Sequence, residues 1–523
     1  MLLGIGLDDS YVLTGAMEQV VNYADPFVET TLKGIVDLAG PSITLTSLTD
    51  CLAFALGAVM STIPAIRWFC YYAVLCIIFD FLYQITLFVA LMALDDARIR
   101  NKRCICCTCR NAVPQSSSSD RESMMRKYTS MLLNPCVKWL VLIVFAVALI
   151  VGAFFSSKAT VDFSISELVA TRSSTNRFVQ AEVEHVGDPT LPCYLYVRDF
   201  GSREPVDTFL DALVDSGFVE SKPDPLILDA FQAFSLDALQ SGSNATSLDE
   251  LFEGFIQSQP FWLRDIAIDY ATGTPVAFRT PILAQVNRFA SVRRQVEFLE
   301  AQRSITLNNT LNANASEDMI FLFNVEFPVF EHFRVIPGQL TTTLTVAILA
   351  VVFVSCFFFP YPSGTLLSVL VALAVNVELI GLVYVTGKHI NTITVLLLIM
   401  QVGLTVDYCL HIIFAFQRVK LTSPEIPRNE TIILAMEEVA LSVFNGGCTT
   451  LLGVLMLGFA DGEVFRTFFI IYCAMVVLGV THGLVFLPVA LSLIPMRETA
   501  KAIQEEEQWP SQLTLEEEIE VAA

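Results

Sequence analysis

Two adjacent aspartates, Asp8 and Asp9, interrupt the apolar opening MLLGIGLDDSYVL, and a third, Asp407, interrupts a similar run, QVGLTVDYCLHI. A carboxylate at mid-bilayer costs about 2.5–3.5 kcal/mol on insertion scales, so acids in such runs must face the interior of a helix bundle and one another. A glycine stands four residues before an acid in each run, Gly4 before Asp8 and Gly403 before Asp407. One helical turn away on the same face, it lets a neighbouring helix approach closely. His411 follows Asp407 by four residues, so the two side chains share a face and can share a proton. The chemistry open to these residues is reversible binding of a proton or a sodium ion between two helices. The bland alternative is an interhelical polar clamp that never titrates, although a clamp would not need three carboxylates.

Other polar groups lie in apolar runs as well. Asp50 and Asp80 read as structural, near an interface or paired with Ser, Thr or Tyr hydroxyls. Asn376 and Glu378 fall near the middle of a run, where a helix-pair hydrogen bond explains Glu378 as well as a transport role does. His482 reads as a satisfied core histidine. The cluster CICCTC (Cys104, Cys106, Cys107 and Cys109) is too compact for the separated CxxC pairs of a zinc site. Beside basic residues and an apolar run it suits S-palmitoylation, with plain reduced thiols as the alternative. No metal site is expected. No Walker loop, zincin motif or GxSxG element occurs, so neither an ATP site nor a hydrolase is expected, and the chain is read as not an enzyme.

The elements that must position these groups follow from composition. Of 523 residues 54% are hydrophobic and only 16% charged, and the mean hydropathy is +0.60. That balance excludes an ordinary soluble enzyme and indicates a polytopic α-helical membrane protein. A net charge of −22 argues against nucleic acid as a partner. Apolar runs fall into two groups. The first has a remnant near 1–21 and spans near 42–62, 68–94 and 136–157. The second has spans near 340–360, 364–386, 391–417, 438–460 and 465–494. Between them a polar segment mixes helical stretches (PVDTFLDALVDSGF, PILAQVNRFASVRRQVEFLEAQR) with strand-like ones (LPCYLYVRDF, MIFLFNVEFPVF), which predicts an α+β domain. Its one cysteine, Cys193, excludes a disulfide scaffold within it. It carries three glycosylation sequons, at Asn244, Asn308 and Asn314, with a fourth at Asn429 elsewhere. Arg98, Arg100, Lys102, Arg103, Arg110, Arg121, Arg126 and Lys127 crowd one short loop, which the positive-inside rule makes cytoplasmic. Counting spans from there makes the polar segment lumenal or extracellular and the acidic tail cytosolic.

A repeat relates the two groups. GIGLDD at Gly4 returns as GLTVDY at Gly403, Arg67-Trp-Phe69 as Arg466-Thr-Phe468, and Val89-Ala-Leu91 as Val489-Ala-Leu491, all at offsets near 400. Parallel repeats of this kind are related by a pseudo-two-fold axis along the membrane normal. The first half has fewer spans than the second, so an upstream beginning to it is expected.

The run GPSITLTSLTDCLAFALGAVMSTIPAIRWFCYYAVLCIIFDFLYQITLFVALMALDDAR resembles the later spans of a sterol-sensing domain of the Patched / Niemann–Pick C1 / Dispatched type, in the resistance-nodulation-division superfamily. GLDD is similar to the GxxxDD element of that family's fourth span, GLTVDYCLHI to the GxxxD element of its tenth, and VEFPVFEHF to the approach to its eighth. The resemblance implies a whole protein of twelve spans with two lumenal domains of ferredoxin-like character. This sequence begins inside the fourth span, so it is expected to be a piece of a longer protein. The resemblance also implies that Asp8, Asp9 and Asp407 couple cation movement to passage of a sterol or another lipid.

The resulting division is 1–97 for the later part of a sterol-sensing domain, 98–135 for a basic Cys-containing loop and 136–157 for a span. The lumenal domain follows over 158–336, five spans over 337–496 and an acidic tail over 497–523. The expected function is cation-coupled lipid transport in a plasma or endolysosomal membrane, with a sterol or other lipid as partner and room for a protein ligand on the lumenal domain. The rival classes are a non-transporting sterol-sensing receptor or scaffold and a small-molecule exporter of the same superfamily.

Overall fold

A computed structural model describes residues 2–20, 28–100, 118–162, 170, 172–186, 190–200, 203–223, 226–241, 248–269, 271–286, 290–313 and 315–493. The chain divides into two units, one of Met1–Thr160, Glu167–Thr171 and Gly338–Ala523, the other of Val161–Ser166 and Arg172–Pro337.

The first unit is helical. It begins with α1 (Leu2–Val20), α2 (Val28–Met60), α3 (Pro64–Tyr83), α4 (Val89–Arg100), α5 (Ser118–Leu132) and α6 (Pro135–Ser156). Later in the chain come the long helix Phe327–Phe358, which enters this unit at Gly338, then Pro362–Val385, Thr392–Thr422, Arg428–Val454, Glu463–Thr481 and Leu487–Leu493. Among the described residues eight helices are long and apolar enough to cross a membrane. They match the apolar runs in number, but several are longer. The first of them, within α2, begins at Leu32 rather than near 42, with Pro41 inside it, and Phe327–Phe358 begins well before 340, with Pro337 inside it. Hydropathy marks the lipid-immersed part of a helix, and backbone hydrogen bonding continues past it; a proline in the interior removes one such bond and bends the helix rather than ending it.

Burial is reversed relative to a soluble protein. The most apolar stretch of α6 is 11% buried, and Trp139, Leu140, Ile143, Val147, Ile150 and Phe154 line its outer face. The corresponding stretch of helix Thr392–Thr422 is 89% buried, and that helix carries buried Gln401, Asp407 and His411. With lipid as solvent, apolar side chains need no protein cover, and polar ones do. Two π-helical turns, Gln84–Phe88 and His482–Phe486, interrupt the spans Pro64–Arg98 and Glu463–Leu493 at positions 84 and 482, close to the repeat offset.

The second unit contains α7 (Ser174–Ala181), β1 (Leu191–Val197), α8 (Arg203–Asp215), α9 (Ile227–Gln240), α10 (Leu248–Ser258), β2 (Ile266–Ile268), β3 (Pro275–Ala284), α11 (Val292–Asn308) and β4 (Ile320–Phe323). The helices named above that follow it are α12 (Phe327–Phe358), α13 (Pro362–Val385), α14 (Thr392–Thr422), α15 (Arg428–Val454), α16 (Glu463–Thr481) and α17 (Leu487–Leu493). The α+β expectation holds for this unit. Its four strands form one antiparallel sheet of order β2-β3-β1-β4. Period-two alternation turns Leu191, Cys193, Leu195 and Val197 inward against Phe209, Phe278, Ile282 and Phe298. Burial pushes the Cys193 thiol up to about 12, as befits a core residue without chemistry.

Two stretches differ from expectation. PILA, read as the start of a helix, closes β3. Its Pro281 is tolerated because β2 pairs only as far as Phe278, leaving one edge of β3 free there. The strand expected over MIFLFNVEFPVF stops at Phe323, and α12 starts four residues later. Between α11 and β4 the side chain of Asn312 replaces missing secondary structure. Its Nδ2 donates to the carbonyls of Thr306 and Ile320 at 2.7 and 2.9 Å, and its Oδ1 accepts from the backbone of Met319 and Ile320 at 2.7 and 3.1 Å. Asn312→Ala strands those groups and is expected to destabilise this unit by about 2–4 kcal/mol. Chemical denaturation followed by tyrosine and tryptophan fluorescence measures it, and an unchanged midpoint would remove the bonds from the stability account.

The loop 98–135 contains the helix α5. Its Arg126 bonds Glu430 and Glu437 of α15 at 2.7 and 2.9 Å, the charge-assisted bonds that raise its pKa above the usual guanidinium value. Cys104, Cys106, Cys107 and Cys109, Asn244 and Asn314, and the acidic tail lie outside the described residues.

Candidate functional site

Helix α14 is placed by its own first residues. Gly387, at φ +70° after α13, lets the Lys388 N–H reach the Val383 carbonyl at 2.9 Å and its own N–H reach Tyr384 at 3.0 Å. Four residues on, Asn391 Oδ1 accepts from the backbone of Ile393 and Thr394 at 3.0 and 3.1 Å, and Thr394 Oγ1 accepts from the Asn391 N–H at 2.7 Å. This reciprocal cap fixes the rotation of α14 at its start, and so the direction in which Asp407 and His411, four turns and more away, project.

The structure gathers the expected acids. Asp8 and Asp9 of α1 and Asp407 of α14 are each at most 4% exposed, and His411 is 1% exposed. Asp50 of α2 joins them at 1%, and Asp80 of α3 faces the same place half-buried. A Cβ on Gly403 would collide with the Asp50 carboxylate, one on Gly6 with Asp80, and one on Gly446 of α15 with Asp8. Each acid therefore lies in a groove that only glycine leaves open. Asp407 lies within electrostatic reach of Asp50, Asp9 and Asp8, and Asp9 within reach of Asp8, Asp80 and Asp50. The expectation that Asp50 pairs with a hydroxyl is not met: neither of its oxygens accepts a hydrogen bond from the described residues.

The two halves meet through this cluster. His411 bonds Ser42 of α2 through Nδ1 at 2.7 Å, and its Nε2 faces Asp9 Oδ1 at 4.0 Å. The i,i+4 spacing pairs it with Asp407, whereas the structure sets its two ring nitrogens towards Ser42 of α2 and Asp9 of α1 across the helix interface. On the α3 side, Gln84 of the first π turn donates to the Gly6 carbonyl at 2.5 Å and exchanges bonds with Ser10 at 3.0–3.2 Å. The second π turn packs equivalently on α14, since a Cβ on Gly483 would sit 3.2 Å from the Tyr408 carbonyl. A cavity of about 20 Å³, room for one water molecule, is lined by Ser42, His411, Gln19, Glu438 and Ser442. Glu438 is paired to Arg418.

The chemistry follows from what is missing around the acids. Both oxygens of Asp8 and of Asp50, Asp9 Oδ2, Asp407 Oδ1 and His411 Nε2 have no hydrogen-bond partner among the described residues. Buried carboxyl groups this close together cannot all be charged without a counter-cation, and a carboxyl oxygen without a donor is satisfied by taking a proton or another cation. No group of three or more His, Cys, Asp or Glu side chains among the described residues is set to hold one metal ion.

Gly4 lies at the start of α1, and its surroundings fall outside the described residues. Glu378 stands elsewhere, on α13 against Gly152 of α6. Asn308 is exposed at the end of α11. Sequence reasoning missed Ser42, Gln84, Gly6 and Gly446. The available signal for Gly446 was Asn445-Gly446-Gly447 in the middle of an apolar helix, where glycine costs about 1 kcal/mol against alanine and needs a packing reason.

The family model for the sterol-sensing domain of SREBP cleavage-activation matches residues 1–112, and that for the MMPL family matches residues 326–518. Patched-related protein 9 of Caenorhabditis elegans is 26% identical over 87% of this chain and 53% of its own length. NPC intracellular cholesterol transporter 1 of Sus scrofa is 23% identical over 97% of this chain and 45% of its own length. This chain belongs to the Patched / Niemann–Pick C1 / Dispatched family. It is a multi-pass helical membrane protein of that family. It spans about half the length of the curated relatives it matches. The fold agrees, with a TM-score of 0.64 at 14% identity to the hedgehog release protein Disp from the water bear Hypsibius dujardini, over 94% of this chain and 62% of that one. Of the two regions matched to family models, residues 1–112 bring Asp8, Asp9, Asp50 and Asp80 to the cluster on α1, α2 and α3, and residues 326–518 bring Asp407 on α14.

Proposed function

We propose that this chain forms part of a cation-coupled transporter of a sterol or another lipid, in which Asp8, Asp9 and Asp407, with Asp50 and His411, bind and release the coupling cation. The observation that carries this reading is the buried set of carboxyl oxygens without partners where the two pseudo-symmetric halves meet. The coupling ion proposed is a proton, with sodium the alternative. Protonation satisfies a lone carboxyl oxygen without a coordination shell, and the His411 ring beside Asp9 offers a second proton acceptor. The small cavity from His411 towards Glu438 is the proposed entry for water from one membrane face. Lipid as cargo is supported by kinship with NPC intracellular cholesterol transporter 1 and by the sterol-sensing match.

The unit of residues 172–337 is proposed to be a lumenal domain of ferredoxin-like character. Its βαββαβ order with β2-β3-β1-β4 pairing, all neighbours antiparallel, supports that reading. The same domain is where a protein ligand is proposed to bind. The membrane proposed is the plasma or endolysosomal one, and no enzymatic step is assigned. A lumenal position would expose Asn308 to glycosylation. Asn308→Gln is therefore expected to lower the apparent mass by one glycan, read as loss of one glycosidase-sensitive step on a gel; no change would count against glycosylation there.

The function itself is tested by reconstituting the protein in vesicles and following transfer of a fluorescent sterol under an imposed proton gradient, then a sodium gradient. Transfer driven by one of them supports the proposal. Transfer indifferent to both favours the receptor or scaffold class, and movement of small molecules without lipid favours the exporter class.

A further inference from the structure

A second buried acid lies away from the carboxylate cluster. Glu378 of α13 is 8% exposed, and neither carboxyl oxygen has a hydrogen-bond partner among the described residues. His482, 3% exposed, opens the second π turn and sets its Nε2 at 3.7 Å from Glu378 Oε1. Its other nitrogen, Nδ1, is 2.9 Å from the Leu478 carbonyl. A carbonyl oxygen only accepts, so Nδ1 carries a hydrogen and Nε2 is the position where the ring's variable proton is gained or lost.

We propose that Glu378 and His482 form a second proton-binding site, holding one proton between Nε2 and Oε1. With that proton present the pair is either imidazolium and carboxylate or imidazole and carboxylic acid, and both arrangements are attractive. Without it, a bare carboxylate faces the lone pair of Nε2 in an apolar surround, which nothing there compensates. The surround is built for exclusion. Gly152 of α6 presses on the Glu378 backbone, and Gly381 approaches the Gly152 carbonyl so closely that neither glycine leaves room for a Cβ. The Phe145 ring meets the His482 ring edge-on, with centroids 4.7 Å apart and planes at 83°. The extra residue of a π turn re-aims side chains locally, and such turns recur at functional sites.

This site is separate from the carboxylate cluster but adjoins it. Gly483, next to His482, packs on the backbone of Tyr408, next to Asp407. Titratable groups on the surrounding elements include Asp407, Tyr408, Cys409 and His411 of α14, Tyr472 and Cys473 of α16, Tyr384 of α13 itself, Cys136 and Lys138 of α6, and Tyr128 of α5, whose hydroxyl donates to the Leu484 carbonyl. Of the ion pairs among them and the pair itself, the one made by Glu378 is with His482.

The test uses the full chain in lipid nanodiscs, stepped from acid to alkaline pH while protons released are counted and infrared difference spectra record protonated carboxyl groups. Glu378→Gln is expected to release one proton fewer per chain and to lose one carboxyl band. His482→Gln is expected to shift that band and the pH at which it titrates. If both variants leave the count, the band and its titration unchanged, the proposal is overturned. If Glu378→Gln does not fold, the presence or absence of the His482→Gln shift decides. Asp407→Asn in the same experiment removes a different band, so failure of the coupling proposal is read separately.

Discussion

Asp407→Asn is expected to lower gradient-driven lipid movement by about 100-fold or more, taking each 1.36 kcal/mol of lost coupling as tenfold. The amide has the carboxyl group's size and leaves the helices packed, but it can neither take up a proton nor carry a charge at neutral pH. Asp407 is the acid of α14, and its electrostatic neighbours Asp50, Asp9 and Asp8 come from α2 and α1. Losing it therefore uncouples one half of the bundle from the other. The driving force at stake is about 2.3 kcal/mol per charge for each 100 mV of potential, with a further contribution from any pH difference. One charge moved through 100 mV corresponds to about 50-fold, and a modest pH difference supplies the rest of the expected factor. The check is initial-rate sterol transfer by vesicles holding equal amounts of folded protein. A rate within a few fold of the unsubstituted protein would mean that Asp407 is a structural clamp.

Gly446→Val is expected to prevent assembly of the helix bundle. A Cβ at this position would collide with the Asp8 carboxylate and lie 3.2 Å from the Asp8 Cα, so the obstacle includes backbone that cannot rotate away. The α1–α15 contact is antiparallel and continues through Gly15, whose Cβ would meet Ser442 Oγ at 2.7 Å, so α1 cannot slide aside without opening both contacts. Overpacking a close contact costs about 1–3 kcal/mol or more, and here it also pushes a buried acid out of its groove. The expected result is loss of the monodisperse peak in size-exclusion chromatography. Gly453→Val is the control on the same helix, since nothing lies within 4 Å of a Cβ there, and it should leave the peak intact. Equal behaviour of the two variants would contradict the close-approach account.

The bundle was legible because lipid imposes long apolar runs, and Asp8, Asp9 and Asp407 because charges stand out in them. The α+β character of the polar segment was legible from its alternating strand β1. Other features depend on information that spacing does not hold. Asp50 reads as structural from its sequence surroundings, and only the packing of α2 on α14 brings its carboxylate against Gly403. His411 shares a face with Asp407 by spacing, yet its partners are Ser42 and Asp9, 369 and 402 positions away, and the rotation of packed helices selects them. The π turns leave no mark on hydropathy, so the alignment of His482 with Glu378 could not be seen. In the second unit, the proline and threonine of RTPILA hid the strand β3, whose buried face is Phe278, Thr280, Ile282 and Ala284.

The central claim is that the buried carboxyl groups exchange a cation in step with lipid movement. The most direct measurement follows proton flux and sterol transfer together in the same vesicles, with the unsubstituted protein and with Asp407→Asn. The account predicts that the two fluxes keep a fixed ratio as the gradient is varied and that the substitution abolishes both. Sterol transfer that continues when the gradient is collapsed, or proton flux that proceeds without sterol, would contradict it.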